Sequence, residues 1–236
     1  MQQQATTKLV SAVMSVWESY IRPRHREGVD RGAVFTFGNT CRVEADFTTS
    51  LSELAATLNI VMANGVRNEG TRLYDTLEDM VNAFWMAARR DCQWDALVIT
   101  DGMDNRSRRY PHQNATSPEL IGRYIGTRFN HLPSNRILLF GVGSERQLNA
   151  QALGTIAHHG NFRAIRIEGF SQLDLYIKEG TYNVTRKTEN EYIPIAPGVV
   201  GHIRNQRVEV ARRPTDYAIL LDVSHSMGEP ATNGGA

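Results

Sequence analysis

The chain has 236 residues, of which 41% are hydrophobic and 22% charged, and its formal net charge is +1 at neutral pH. That is enough to bury a sizeable core as one large domain or a domain with an appendage. The near-zero charge and scattered basic residues argue against nucleic-acid binding, and no apolar run nears the roughly 18 residues needed to cross a bilayer.

Met1-Gln2-Gln3-Gln4 lacks the basic start and apolar stretch of a signal peptide, so a cytoplasmic location is expected. Leu9, Val10, Val13, Met14, Trp17 and Ile21 recur at helical spacing and predict an amphipathic helix over residues 6–21, stopped by Pro23. Residues 33–37 read as a strand ending at the turn signal Gly38-Asn39, and residues 42–47 as a half-exposed edge strand. Leu51, Leu54, Leu58 and Val61 mark a second helix, and Leu73, Leu77, Met80, Val81, Phe84 and Trp85 share one face of a third, over residues 71–90.

Residues 96–99 form a continuous apolar strand, buried on both faces as in a parallel sheet. Ser117-Pro118-Glu119 reads as a helix start with a serine cap. Residues 137–140 are another buried strand, followed by a helix near 148–157, a strand over 162–167 and a helix over 171–178. Residues 180–213 lose the helical period and carry Pro194 and Pro197, so they are expected to be an irregular connecting arm. The apolar run Ala218-Ile219-Leu220-Leu221 then delivers Asp222. Alternating strands and helices of this kind predict a doubly wound, Rossmann-like α/β sandwich around a mostly parallel sheet with one antiparallel edge strand.

Two of the buried strands end in aspartate, at Leu221-Asp222 and at Ile99-Thr100-Asp101-Gly102. Ligands of open α/β sheets bind beyond the carboxyl ends of the strands, where the two carboxylates can converge. Unpaired there, they would repel one another and face a desolvation penalty that a divalent cation relieves. The alternation Asp222-x-Ser224-x-Ser226 aims one charged and two neutral oxygens inward, and Thr71, after Gly70 at a helix start, adds a further hydroxyl. Oxygen-only ligation selects a hard ion, with Mg²⁺ the first choice and Mn²⁺ or Ca²⁺ the second.

The loop Asp222-Val223-Ser224-His225-Ser226-Met227-Gly228, the segment Glu69-Gly70-Thr71-Arg72-Leu73-Tyr74-Asp75 and the run Leu97-Val98-Ile99-Thr100-Asp101-Gly102 together closely resemble the three parts of the metal-ion-dependent adhesion site of von Willebrand factor type A domains. The likeness covers nearly everything except residues 180–213. It implies that Asp222, Ser224, Ser226, Thr71 and Asp101 surround the metal, directly or through water, and that one coordination position is left for a carboxylate of the ligand.

The sequence departs from the family in order. The aspartate-serine strand, which the family places first, here follows everything else. Joining residues 228–236 onto Met1 and the helix at Lys8-Leu9 restores the family order, which points to a circular permutation. On that reading the chain is a single domain: a body over residues 1–179, the arm 180–213, the central strand and metal loop 214–228, and a tail 229–236. A swapped oligomer, with the last strand paired into a neighbouring molecule, and a cut through a tandem array are the other rearrangements. His225 stands where the family more often has a small residue, and is expected as a rim side chain rather than a ligand.

The function expected is recognition rather than catalysis: a metal-dependent protein-binding module whose partner presents an Asp or Glu side chain, with no membrane insertion. The alternatives are a metal-dependent hydrolase or phosphatase using the same crevice, and a scaffold with a silent metal site. No second aspartate stands two residues after Asp222 to act as base or nucleophile, no Gly-x-Ser-x-Gly elbow surrounds Ser224, and no glycine-rich phosphate loop precedes a helix. His158-His159 lacks further ligands at zinc spacing and is expected as a surface pair. Cys41 and Cys92 have no metal-ligand spacing and are expected as buried thiols.

Overall fold

The computed structural model of the protein describes residues 7–132, 134–143, 148–167, 169, 172–177 and 213–231. The predicted arm at 180–213 lies outside them but for its last residue, as does most of the tail. In chain order the elements are α1 (Lys8–Val16), β1 (Arg31–Phe37), β2 (Cys41–Thr48), α2 (Leu51–Asn64), α3 (Leu73–Ala87), β3 (Gln93–Thr100), α4 (Ser117–Arg128), β4 (Arg136–Val142), α5 (Ala150–Gly160), β5 (Arg163–Ile167), α6 (172–177) and β6 (Thr215–Asp222).

Six strands form one sheet in the order β2-β1-β6-β3-β4-β5. Only β2 runs antiparallel to its neighbour, at the edge. The last strand of the chain is therefore a central one, inserted between β1 and β3 and parallel to both, with Leu221 level with Thr36 and Ile99. Eight consecutive residues of β6 are buried, which is why it reads as a solid apolar run rather than an alternating one.

Strand periodicity divides the core in two. Ile219 and Leu221 pack with Leu9, Val13, Leu54 and Leu58 under α1 and α2, while Ala218 and Leu220 pack with Leu77, Met80, Phe84 and Ile125 under α3 and α4. Full burial of a leucine or isoleucine side chain contributes about 1.5–3 kcal/mol, and Ile219, Leu220 and Leu221 of the central strand are all fully buried.

The predicted elements are all present among the described residues, with shifted ends. The first helix begins later, capped by the Thr7 hydroxyl, which accepts from Val10 N. It passes at Trp17–Ile21 into a π-helical turn, where Arg22 N donates to Trp17 O at 2.9 Å. The serine cap expected at Ser117 is not formed. Ser117 is the first helical residue and its hydroxyl donates to Pro111 O at 2.8 Å, because the preceding turn presents that carbonyl. Nor is Cys41 fully buried: it sits half-exposed on the edge strand, whereas Cys92 is buried, and neither is in a disulfide.

The short basic clusters Arg22-Arg24-Arg26 and Arg106-Arg108-Arg109 lie largely at the surface, and several of their members are paired. Arg22 pairs with Glu18 and Arg26 with Asp30, Arg24 lies over the Tyr20 ring, and Arg109 pairs with Glu78 and Asp79. His158 and His159 stand side by side near the surface, as expected.

Candidate metal centre at the carboxyl end of the sheet

Asp222 is the last residue of β6 and lies level with Phe37 of β1, one step beyond the Leu221–Ile99 pair. That register sets its side chain beside Thr100, the last residue of β3, whose hydroxyl donates to Asp222 Oδ2 at 2.6 Å. The chain then turns sharply, and Ser224 N donates back to Asp222 Oδ1 at 2.9 Å. This turn makes every second residue face inward. Ser224 Oγ lies 3.3 Å from Ser226 Oγ, and a short helical turn over His225–Gly228 follows.

The other two segments close on this loop. Thr71 Oγ1 is within 3.2 Å of Ser224 Oγ, and Ser226 Oγ donates to Asp101 Oδ1 at 2.6 Å. The five residues singled out in the sequence, Asp222, Ser224, Ser226, Thr71 and Asp101, are thus brought together. Thr71 is not the cap of α3, a place taken by Arg72. Its backbone is clamped instead by the loop after β3: Thr71 O accepts from Asn105 N and Arg106 N, and Thr71 N donates to Asn105 Oδ1.

That loop is itself bolted to α3. Buried Asp75 accepts the backbone N–H groups of Arg108, Arg109 and Tyr110, and Asp104 accepts from Tyr74 N. The hydroxyl of Thr71 and the carboxylate of Asp101 are therefore held by one hydrogen-bonded unit. Gly102 completes it by being small: a Cβ there would stand 2.8 Å from Thr71 Oγ1 and 3.9 Å from Asp222 Oδ2.

Burial pushes the Asp222 carboxyl up to about 6, with the nearby Asp101 charge adding to the rise against the hydrogen bonds from Thr100 and Ser224. Among the described residues no arginine or lysine pairs with it. A fully buried carboxylate served by hydroxyls and one amide, beside a second carboxylate, is a donor set short of positive charge. Two charged and three neutral oxygens suit a hard divalent cation in number and type, so the residues present fit the metal that the sequence implies.

Two contributors escaped sequence reasoning. Thr100 reads in the sequence as an ordinary strand residue, and its place directly before Asp101 at a strand end is the one signal that marks it. Lys8, the first residue of α1, sends Nζ to Asp101 Oδ2 at 2.7 Å and to Glu229 Oε2 at 2.8 Å. Burial pulls its ammonium down, but the hydrogen bonds and charges of Asp101 and Glu229 outweigh this and hold it above its ordinary value. A crevice of about 460 Å³ opens over the site, lined by Glu69, Tyr74, Met103, Asn105, His112 and His225 among others. His225 is exposed on its rim, and Met103 presents an apolar side chain there.

No family model and no curated relative matches the chain. Solved structures do. BatB from Bacteroides thetaiotaomicron, described as a conserved hypothetical protein, aligns over 75% of this chain and 86% of its own, at 12% identity and a TM-score of 0.53. A von Willebrand factor type A protein from Catenulispora acidiphila aligns over 72% of this chain and 38% of its own, at 18% identity and a TM-score of 0.54. The fold is von Willebrand factor A-like. An aerotolerance-related membrane protein from Bacteroides fragilis adds a further likeness, over 75% of this chain and 88% of its own, at 14% identity and a TM-score of 0.50. At these identities the von Willebrand factor A-like likeness concerns the fold. Among the described residues no helix is long and apolar enough to cross a membrane.

Proposed function

We propose that this protein is a divalent-cation-dependent protein-binding module whose partner presents an aspartate or glutamate side chain to the cation. The observation that carries the reading is the meeting of Asp222, Ser224, Ser226, Thr71 and Asp101, drawn from three distant segments, around a fully buried carboxylate, Asp222, that has no cationic partner among the described residues. These five residues would hold Mg²⁺, or Mn²⁺ or Ca²⁺ in its place. The cation would supply a positive centre able to take up a carboxylate from outside. Two aspartates match its charge and the hydroxyls add none, which leaves an anionic ligand still attracted.

Recognition is favoured over hydrolysis by what surrounds the donors. Position 224 holds a serine whose oxygen faces Thr71 and Ser226, and the carboxyl groups of the site are engaged with Thr100, Ser224, Ser226 and Lys8 rather than poised over the crevice as a base. The rim of Met103, His112 and His225 offers side chains to a macromolecular partner.

The order of the strands is read as a circular permutation of the family, with β6 standing where the family has its first strand. Supporting this, the chain leaving β6 meets the start of α1: Lys8 N donates to Glu229 O at 3.0 Å and Thr7 bridges to Pro230. The same strand supplied by a neighbouring molecule would give a swapped oligomer instead.

Magnesium titration by calorimetry on the wild type and Asp222→Ala, with molecular mass from light scattering, tests both points. Saturable binding by a monomer, lost in the variant, is the expected result. Absence of binding in the wild type would overturn the metal-dependent mechanism, and binding confined to a dimer would replace internal closure by strand exchange.

A further inference from the structure

Lys8 is a cation where helix electrostatics disfavour one. It occupies the first position of α1, the positive end of the helix dipole, where acidic residues are the stabilising choice. Its side chain is only 10% exposed, and its ammonium bridges fully buried Asp101 and the more exposed Glu229. A buried lysine is costly unless paired, and the partner it has found is one of the two carboxylates of the candidate metal centre. The α1 backbone fixes this arrangement, since the Lys8 amide is itself bonded to Glu229 O.

We propose that Lys8 is a tethered counter-cation that shares Asp101 with the divalent cation and thereby sets how tightly the site takes metal. This rests on the reading of the site as a metal centre. With Asp222 and Asp101 counted as one negative charge each, Lys8 reduces the charge of the metal-free site from two to one and so lessens the repulsion that would otherwise open it. In return it repels an incoming cation. Once a divalent ion is bound, the same ammonium leaves the centre with a surplus positive charge, which favours an anionic partner over a neutral one. Glu229 tempers the effect from the solvent side, because its carboxylate takes up part of the ammonium's charge.

Two substitutions therefore act in opposite directions. Lys8→Met removes the competing charge while keeping the length and apolar stem of the side chain, and should tighten magnesium binding about tenfold. Lys8→Arg retains the charge and should stay close to wild type. Glu229→Gln leaves Lys8 fully committed to Asp101 and should weaken binding about threefold. Calorimetric titration with magnesium chloride on the four proteins reads all of these, and circular dichroism in chelator checks that each is folded.

Magnesium binding by the wild type with unchanged or weaker affinity in folded Lys8→Met would overturn the proposal while leaving the metal centre intact. Absence of magnesium binding in the wild type would remove the metal centre and this proposal together. Should Lys8→Met not fold, Glu229→Gln decides, because its side chain is 55% exposed and tolerates the change: weaker binding upholds the role of Lys8, and equal or tighter binding overturns it.

Discussion

At the amino ends of the strands Asp30, Asp95 and Asp216 are buried and each is met by arginine, whereas at the carboxyl ends Asp222 is equally buried and is met by hydroxyls and one amide. Asp30 takes Arg26 and the amide of Thr215; Asp95 takes Arg136 and Gln93; Asp216 takes Arg31 and Arg89. Against the cost of burial, these partners hold the three carboxyls below their ordinary value, while burial drives Asp222 the other way. One end of the sheet is electrically closed and serves the fold. The other holds in Asp222 a buried carboxylate with no arginine or lysine partner among the described residues, a cost to the fold that Lys8, paired with the neighbouring Asp101, offsets only in part.

Breaking the closed end should have the largest effect. Asp95→Ala removes the buried carboxylate that pairs with Arg136, a guanidinium whose side chain is 18% exposed. Loss of one member of a buried pair costs about 3–5 kcal/mol. Urea unfolding should show a fall of that size with the slope unchanged, and magnesium should not restore it, because the damage is at the far end of the strands. A fall below about 1 kcal/mol would mean that water reaches the pair and that the two ends do not differ in kind.

The open end should respond with the opposite sign. Asp222→Asn removes the ionised form that burial penalises, and a rise from 3.8 to about 6 corresponds to about 3 kcal/mol at neutral pH. The metal-free protein should therefore gain stability, by about 1–3 kcal/mol once the imperfect fit of an amide to Thr100 and Ser224 is allowed for, while losing magnesium binding. Because the folded-state value is raised, the wild type gives up this stability as pH rises from about 4 to about 6. The arginine-paired aspartates, whose values are lowered, give theirs up as pH falls below about 4. Melting in chelator between pH 4.5 and 7.5 should show a decline with rising pH that is smaller in Asp222→Asn; parallel curves would refute the account of Asp222.

This asymmetry explains what the sequence disclosed. The strands were legible because their residues are buried on both faces, so β3, β4 and β6 stand out as apolar runs whatever their neighbours. That five candidate residues would come together was legible from their types and spacing and from the family resemblance they carry: alternating oxygens after a strand in Asp222, Ser224 and Ser226, a strand-end carboxylate in Asp101, and a hydroxyl after glycine in Thr71. Lys8 was not legible, since a lysine near a helix start usually lies in solvent, and only the fold brings Asp101 against it. The pairing of Arg31 and Arg89 with Asp216 was hidden for the same reason. Long side chains from sequence-distant elements meet only once β6 is seated between β1 and β3. The π-helical turn at Trp17–Ile21 left no mark on the apolar spacing.

The smallest change tests whether the open end is built to fine tolerance. Gly102 touches no cation in the proposed centre, yet a Cβ at that position would stand 2.8 Å from Thr71 Oγ1, closer than a carbon and an oxygen approach without a bond. Thr71 cannot yield by moving its backbone, because Asn105 and Arg106 hold its carbonyl and the Asn105 side chain holds its amide. The hydroxyl must rotate away instead. Gly102→Ala should therefore leave unfolding in chelator within about 1 kcal/mol of wild type and weaken magnesium binding about tenfold, the loss of one neutral ligand at about 1.4 kcal/mol. Thr71→Val, which deletes that hydroxyl directly, should weaken binding to the same degree, and the double variant should be no weaker than either alone. Additive losses would mean that Gly102→Ala weakens the site by a route other than displacing the Thr71 hydroxyl, and unchanged binding in Thr71→Val would place that oxygen outside the cation's reach and leave Asp222, Ser224, Ser226 and Asp101 to hold it.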